Sequence, residues 1–379
     1  MTSVSHKTPG QLIEDLLQSH GWTKRVLAIV LGLHESTVNK VISGDRPVDA
    51  ELSLALGEVF GVPAERFLDL QTSYDLVQAR FLQRPDPARI TRAQLFGKLP
   101  VSEMIKRGWL GADDVRDVPK VEAALMHFFG ASSLAEIEIL PHAAKKTHVA
   151  AGTTPVQLAW LYRVKQIASE MLVPRFSIGA LRQALPKLSA MLASTEAARH
   201  VPKILSECGV RFLLVEALPA SKLDGVCFWL NDTSPVVALT MRFDRIDNFW
   251  FVLRHELEHV LCRHGSGGVM MDADLEGDRA GVSDGVPEEE RVANAAAAEF
   301  CVPQKSMKQF MDRKAPFFAE RDILGFARTL RLHPGLVAGQ LQHRTKRYDR
   351  FRDHLVRIRS SVAPGAIVDG WGDVAPVGL

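Results

Sequence analysis

Apolar positions recur every three or four residues through most of the first half of the chain, the spacing of amphipathic helices. In residues 11–20, Leu12, Leu16 and Leu17 fall on one side of a predicted helix that Gly21 ends. Thr23 is placed to cap a second helix over 24–31, which Gly32 breaks. A third is predicted over Glu35–Ser43, closed by Gly44, and a fourth over Ala50–Phe60, ended by Gly61-Val62-Pro63. A fifth starts at Ala64 and is expected to run through Leu68. The pattern stays helical beyond a break at Pro85 and Pro87, with amphipathic stretches at 121–129 and 155–171 and two more within 176–207. Near residue 210 the period changes. Residues 211–216, 225–230 and 235–240 are short apolar runs separated by turn residues and predict three strands. An apolar helix around 249–261 follows, then a Gly- and Asp-rich loop over 265–287, a helix over Glu288–Cys301, and an extended C-terminus.

The expected fold class is α+β. An all-helical domain is expected over 1–75, a helical linker or middle region over 76–205, a domain with a small sheet packed on the helix around residue 255 over 206–345, and a C-terminal extension over 346–379. With 379 residues there is material for two or three cores. Hydrophobic content of 46% and charged content of 24% are those of a globular chain, and a net charge of +2 does not by itself call for nucleic acid. The start carries no apolar signal-like core, no apolar stretch is long enough to span a bilayer, and the four cysteines are scattered. A reducing cytoplasm is therefore expected, without a disulfide framework or a membrane.

The strongest chemical signal is His255-Glu256-Leu257-Glu258-His259. On a helix the two histidines lie one turn apart on one face and can reach one metal ion, with Glu256 close enough to act as general base on a water there. Zinc, or another divalent metal, suits such ligands; the expected fold around them is zincin-like. A catalytic zinc usually takes a third protein ligand. The helix beginning at Glu288 offers Glu288, Glu289, Glu290 and Glu299; of these Glu290 shares a face with Asn294, a pairing that would set a ligand beside a hydrogen-bonding partner for a histidine. A carboxylate at that helix start could equally serve the helix dipole. Arg254 and His264 are candidate oxyanion donors by nearness in sequence alone.

These segments resemble the ImmA/IrrE metallopeptidases: 224–230, 251–259, then Glu290-Arg291-Val292-Ala293-Asn294 and Glu299-Phe300-Cys301-Val302-Pro303, within roughly 205–345. The resemblance implies Glu290 as third metal ligand and, as substrate, a helix-turn-helix repressor whose cleavage switches on stress or mobile-element genes. The chain departs from that family at Glu258, where glycine is usual, and at Ala296, where phenylalanine is usual. Residues 8–75 resemble the XRE/HigA-like helix-turn-helix group, with 35–44 as recognition helix. Val38, Val41 and Ile42 would face its core and leave Ser36, Thr37, Asn39 and Lys40 for the groove of double-stranded DNA, with Arg46 at a phosphate. Residues 23–46 hold four basic and two acidic side chains, a weak footprint, so affinity is expected to draw on a homodimer.

The sequence thus predicts a DNA-binding transcriptional regulator that carries a zinc-dependent endopeptidase. The competing reading is an antitoxin-type regulator whose peptidase-like domain is a non-catalytic sensor or docking scaffold. Two further segments are distinctive. Residues 344–359 hold seven basic and two acidic residues, a composition able to touch DNA or a partner but read rather as a solvated helix face; residues 272–290 hold eight acidic and one basic residue and read as an acidic lid or a plain loop.

Overall fold

The structure is a computed structural model that describes residues 7–82, 89–137, 153–264, 270–273 and 287–371. The predicted break at Pro85 and Pro87, most of the acidic stretch 272–290 and the last eight residues lie outside these. The chain divides into two compact units, residues 1–87 and 88–379.

The first unit is helical: α1 (Pro9–His20), α2 (Lys24–Val30), α3 (Glu35–Ser43), α4 (Ala50–Phe60) and α5 (Ala64–Leu82). The Thr8, Thr23 and Asp49 side chains accept backbone N–H groups at the starts of α1, α2 and α4. Gly32, with φ +65°, lets the chain turn so that α2 and α3 lie at 115° to each other. Leu12, Ile13, Leu27, Val38, Leu56 and Phe67 form the core. Helix α5 runs fourteen residues past the expected Leu68 because nothing breaks it before Pro85; Val77 and Phe81 continue its three-and-four spacing. The expected boundary at residue 75 therefore falls inside a helix.

The second unit is built on a five-stranded mixed sheet of order β4-β2-β3-β1-β5. The strands are β1 (Arg211–Val215), β2 (Leu223–Trp229), β3 (Pro235–Leu239), β4 (Met270–Ala273) and β5 (Ile367–Asp369). β1 runs parallel to β3 and β5, and β2 runs antiparallel to β3 and β4. Successive side chains enter different cores. Leu213, Val215, Val226, Phe228, Val236 and Ala238 pack with α6 (Arg89–Lys98), α7 (Val101–Lys106), α8 (Val118–Phe129) and α9 (Pro155–Glu170). Phe212, Leu214, Cys227, Val237 and Leu239 pack on the other face with α10 (Ile178–Ser189), α11 (Val201–Glu207) and α12 (Ile246–Leu261). Behind these lie α13 (Glu288–Cys301), α14 (Gln304–Lys314), α15 (Glu320–Leu330) and α16 (Pro334–Thr345). A sheet buried on both faces explains why its strands read as unbroken apolar runs. Residues 89–137 and 153–207 thus help build the core around this sheet, and the boundaries expected at 205 and 345 fall within one compact unit.

The basic side chains of 344–359 are mostly exposed, as expected, but beyond Thr345 the segment is not the helix expected. Lys346 adopts a left-handed conformation that ends α16, and the Gln342 amide donates to the carbonyls of Tyr348 and Arg350. Asp244 accepts the N–H groups of Ile358 and Arg359 at 3.1 and 2.7 Å, fixing a loop with only short helical turns. The chain then adds β5 beside β1, where the fully buried Asp369 accepts from Arg163 Nε at 2.5 Å.

Removing one partner of a buried pair leaves the other charge uncompensated. Asp369→Ala is expected to cost about 3–5 kcal/mol in denaturant unfolding of the second unit. His333 links stability to pH. Its Nδ1 accepts the Gly335 N–H at the start of α16, and burial, then nearby His354, holds its pKa below the usual value. The folded state therefore binds the proton less readily than the unfolded chain. This stability is present above about pH 6.5 and is lost as the pH falls below it. His333→Asn keeps a capping acceptor and should flatten that part of the midpoint-against-pH curve.

Candidate metal centre and DNA-binding face

Helix α12 is buried around most of its circumference, as a core helix is. Phe249, Trp250, Leu253 and Leu257 anchor it in the core under the sheet. That placement carries three ionisable side chains inward: His255, Glu256 and His259 are each fully buried. Such groups are rarely found buried without partners or a role. Helix α13 lies alongside, with Ala293 and Ala297 buried. Side chains this small let two helices approach closely.

The approach brings Glu290 to both histidines. His255 Nε2 and His259 Nε2 are 3.0 Å apart; Glu290 Oε2 is 3.3 Å from the first and Glu290 Oε1 is 3.5 Å from the second. Ligands about 2.0–2.1 Å from a tetrahedral zinc stand roughly 3.3 Å from one another, so these three donors fit that metal without rearrangement. His255, His259 and Glu290 are the one such group among the described residues. Glu288 and Glu289 are exposed.

Glu256 turns toward the sheet. A Cβ on Gly225 would overlap the Glu256 carboxylate and crowd Val252, so only glycine on β2 admits the carboxylate there. Asn294 is half-buried and, among the described residues, makes no hydrogen bond to either histidine. His264 instead stands behind His259, the two Nδ1 atoms 3.0 Å apart. It therefore faces the back of a donor, not the oxyanion side. Arg254 is likewise engaged elsewhere, 2.6 Å from Glu258, with its guanidinium 6.0 Å from the Phe300 ring centroid. The carboxylate at 258 is thus compensated along its own helix. Burial and that same Glu258 push the Cys262 thiol up.

In the first unit, Val38 and Val41 are buried and Ile42 half-buried, which leaves Ser36, Asn39, Lys40 and Arg46 exposed and Thr37 half-buried. Among the basic side chains nearby, Lys24 is 3.3 Å from Glu14, which thins the positive footprint further.

Residues 13–67 match the family described as Helix-turn-helix. The chain is 33% identical over 72 residues to Virulence-associated protein I of Dichelobacter nodosus, covering 19% of this chain and 67% of that protein. It is 25% identical over 92 residues to the uncharacterized HTH-type transcriptional regulator YddM of Escherichia coli (strain K12), covering 24% of this chain and 96% of that protein.

Arg254 and Glu258 are mostly buried partners, at 11% and 16% side-chain exposure, so their substitutions should not add. In a double-mutant cycle of Arg254→Ala and Glu258→Ala read by thermal unfolding, the double variant is expected to lose less than the sum, by about 0.5–3 kcal/mol. Strict additivity would mean the pair is not formed in solution.

Proposed function

We propose that the second unit of this chain, whose N-terminal residues belong to the helix-turn-helix family of DNA-binding transcriptional regulators, is a zinc-dependent endopeptidase of zincin-like fold, of the ImmA/IrrE type. Its proposed substrate is a helix-turn-helix repressor protein in a stress or mobile-element response in the cytoplasm. The observation that carries this reading is the His255–His259–Glu290 donor set, already at zinc-ligand spacing, with the Glu256 carboxylate one residue along the same helix.

Zinc, when bound, acts as a Lewis acid toward a peptide carbonyl and makes a bound water easier to deprotonate. His255, His259 and Glu290 would hold the ion. Glu256 accepts the proton of the attacking water and returns it to the leaving amine. Gly225 positions Glu256 by leaving room for its carboxylate against β2. Arg254, by neutralising Glu258, keeps a second carboxylate from competing for the ion.

On the DNA side, Asn39 is suited to read adenine, Lys40 and Arg46 to hold phosphates, and Ser36 and Thr37 to contact base edges or backbone. A sparse positive footprint favours binding as a homodimer. The complete burial of His255, Glu256 and His259 also favours a second reading, an antitoxin-type regulator in which the second unit senses or docks without turnover.

Incubating the metal-loaded full chain with helix-turn-helix repressors of its cell, with and without a chelator, separates the two. Chelator-sensitive cleavage is expected, and Glu256→Gln should reduce it by about 10²–10⁴-fold while retaining the metal. Cleavage by that variant at the wild-type rate would refute the mechanism; retained metal with no cleavage by the wild type would favour the sensor. Asn39→Ala is expected to cost about 1–3 kcal/mol of specific DNA affinity, whereas Lys40→Ala should weaken binding across sequences and lower the salt slope by about one.

A further inference from the structure

We infer that His264 is the positioning residue of the metal centre: it accepts the Nδ1–H of His259 and so fixes the tautomer that leaves His259 Nε2 free to bind the ion. This rests on the reading that His255, His259 and Glu290 hold a metal. A neutral imidazole carries one proton on two nitrogens, so a ring that offers Nε2 to a metal must carry its proton on Nδ1, and that N–H needs an acceptor. The His259 Nδ1 lies 3.0 Å from His264 Nδ1, and its Nε2 faces His255 and Glu290. One proton fits between the two Nδ1 atoms. With His259 as donor, His264 is the acceptor and keeps its own proton on Nε2.

The position of His264 is built rather than incidental. It lies beyond the end of α12, and the chain returns through Arg263 in a left-handed conformation at φ 57°. The His264 N–H then donates to the His259 carbonyl at 2.8 Å. From the sheet, Trp229 Nε1 donates to the His264 carbonyl at 3.0 Å, and the Arg263 guanidinium stacks 5.5 Å from the Trp229 ring centroid. Phe176 packs edge-on against that indole. The His264 backbone is thus held by Trp229 on β2, the strand that also carries Gly225 against Glu256. One strand thereby orients the base and, through His264, a ligand.

Two variants of the full chain test this. His264→Phe keeps a ring and removes the acceptor; His264→Gln offers an amide oxygen in its place. Zinc affinity is read by competition with a chromophoric chelator, and the His259 tautomer by nitrogen-15 spectra of the metal-free, histidine-labelled protein. His264→Phe is expected to weaken zinc binding by about 10–100-fold and to shift the His259 proton away from Nδ1, and His264→Gln to recover most of the affinity. Wild-type affinity in His264→Phe would overturn the assignment, as would a His264→Gln variant no better than His264→Phe. If the wild type takes up no zinc, the metal reading itself fails; the metal-free spectrum then decides the His259–His264 bond alone, an Nδ1–H tautomer supporting it and an Nε2–H tautomer overturning it.

Discussion

The second unit depends on the close approach of helix α12 to strand β2 at Gly225. Any side chain there would collide with the Glu256 carboxylate and with Val252. With glycine the helix can seat Glu256 against the sheet, and helical geometry then sends His255 and His259 to a neighbouring face. That face meets α13, whose small buried residues Ala293 and Ala297 allow Glu290 to come within 3.3 and 3.5 Å of the two imidazoles. The strand is itself fixed between β3 and β4, antiparallel to both. Precision at the donor set therefore comes from the sheet, where packing on both faces holds β2.

The same arrangement shows how an ionisable helix is tolerated in a core. Two of its buried groups, His255 and His259, meet Glu290 at the donor set, Glu256 lies against the sheet at Gly225, and Arg254 and Glu258 pair a turn apart. The chain couples this unit to a helix-turn-helix domain with its own apolar core, in which Ser36, Asn39, Lys40 and Arg46 are exposed. Under the proposed function, one polypeptide would then carry both a reader of DNA and a hydrolytic centre for proteins that read DNA.

Much of this was legible in the sequence, for physical reasons that differ from place to place. The helices of the first unit follow from Thr23, Gly21, Gly44 and Gly61, local signals that act through caps and left-handed turns. The spacing of His255 and His259, and of Glu290 within the next helix, is likewise local. The rest was long-range. β4 comprises four residues, Met270–Ala273, beside a Gly- and Asp-rich tract, and β5 has three, Ile367–Asp369, paired with a strand about 150 residues away in sequence; neither is long enough to show a period. The helices over 89–137 and 153–170 looked like a linker because their apolar faces reveal amphipathicity but not the surface they cover. The spacing of Asn294 to Glu290 suggests a histidine-orienting role, yet among the described residues it makes no such bond. Nearness in sequence offers His264 only as an oxyanion donor; its place behind His259 depends on a left-handed Arg263 and on an indole from another strand.

The most direct test of the proposed centre is elemental analysis of the full chain purified without added metal, run beside Glu290→Gln. A three-donor zinc site predicts about one zinc per wild-type chain and a clear loss in the variant. A wild-type chain without stoichiometric metal, or a variant that retains it in full, would contradict the assignment of His255, His259 and Glu290 as its ligands.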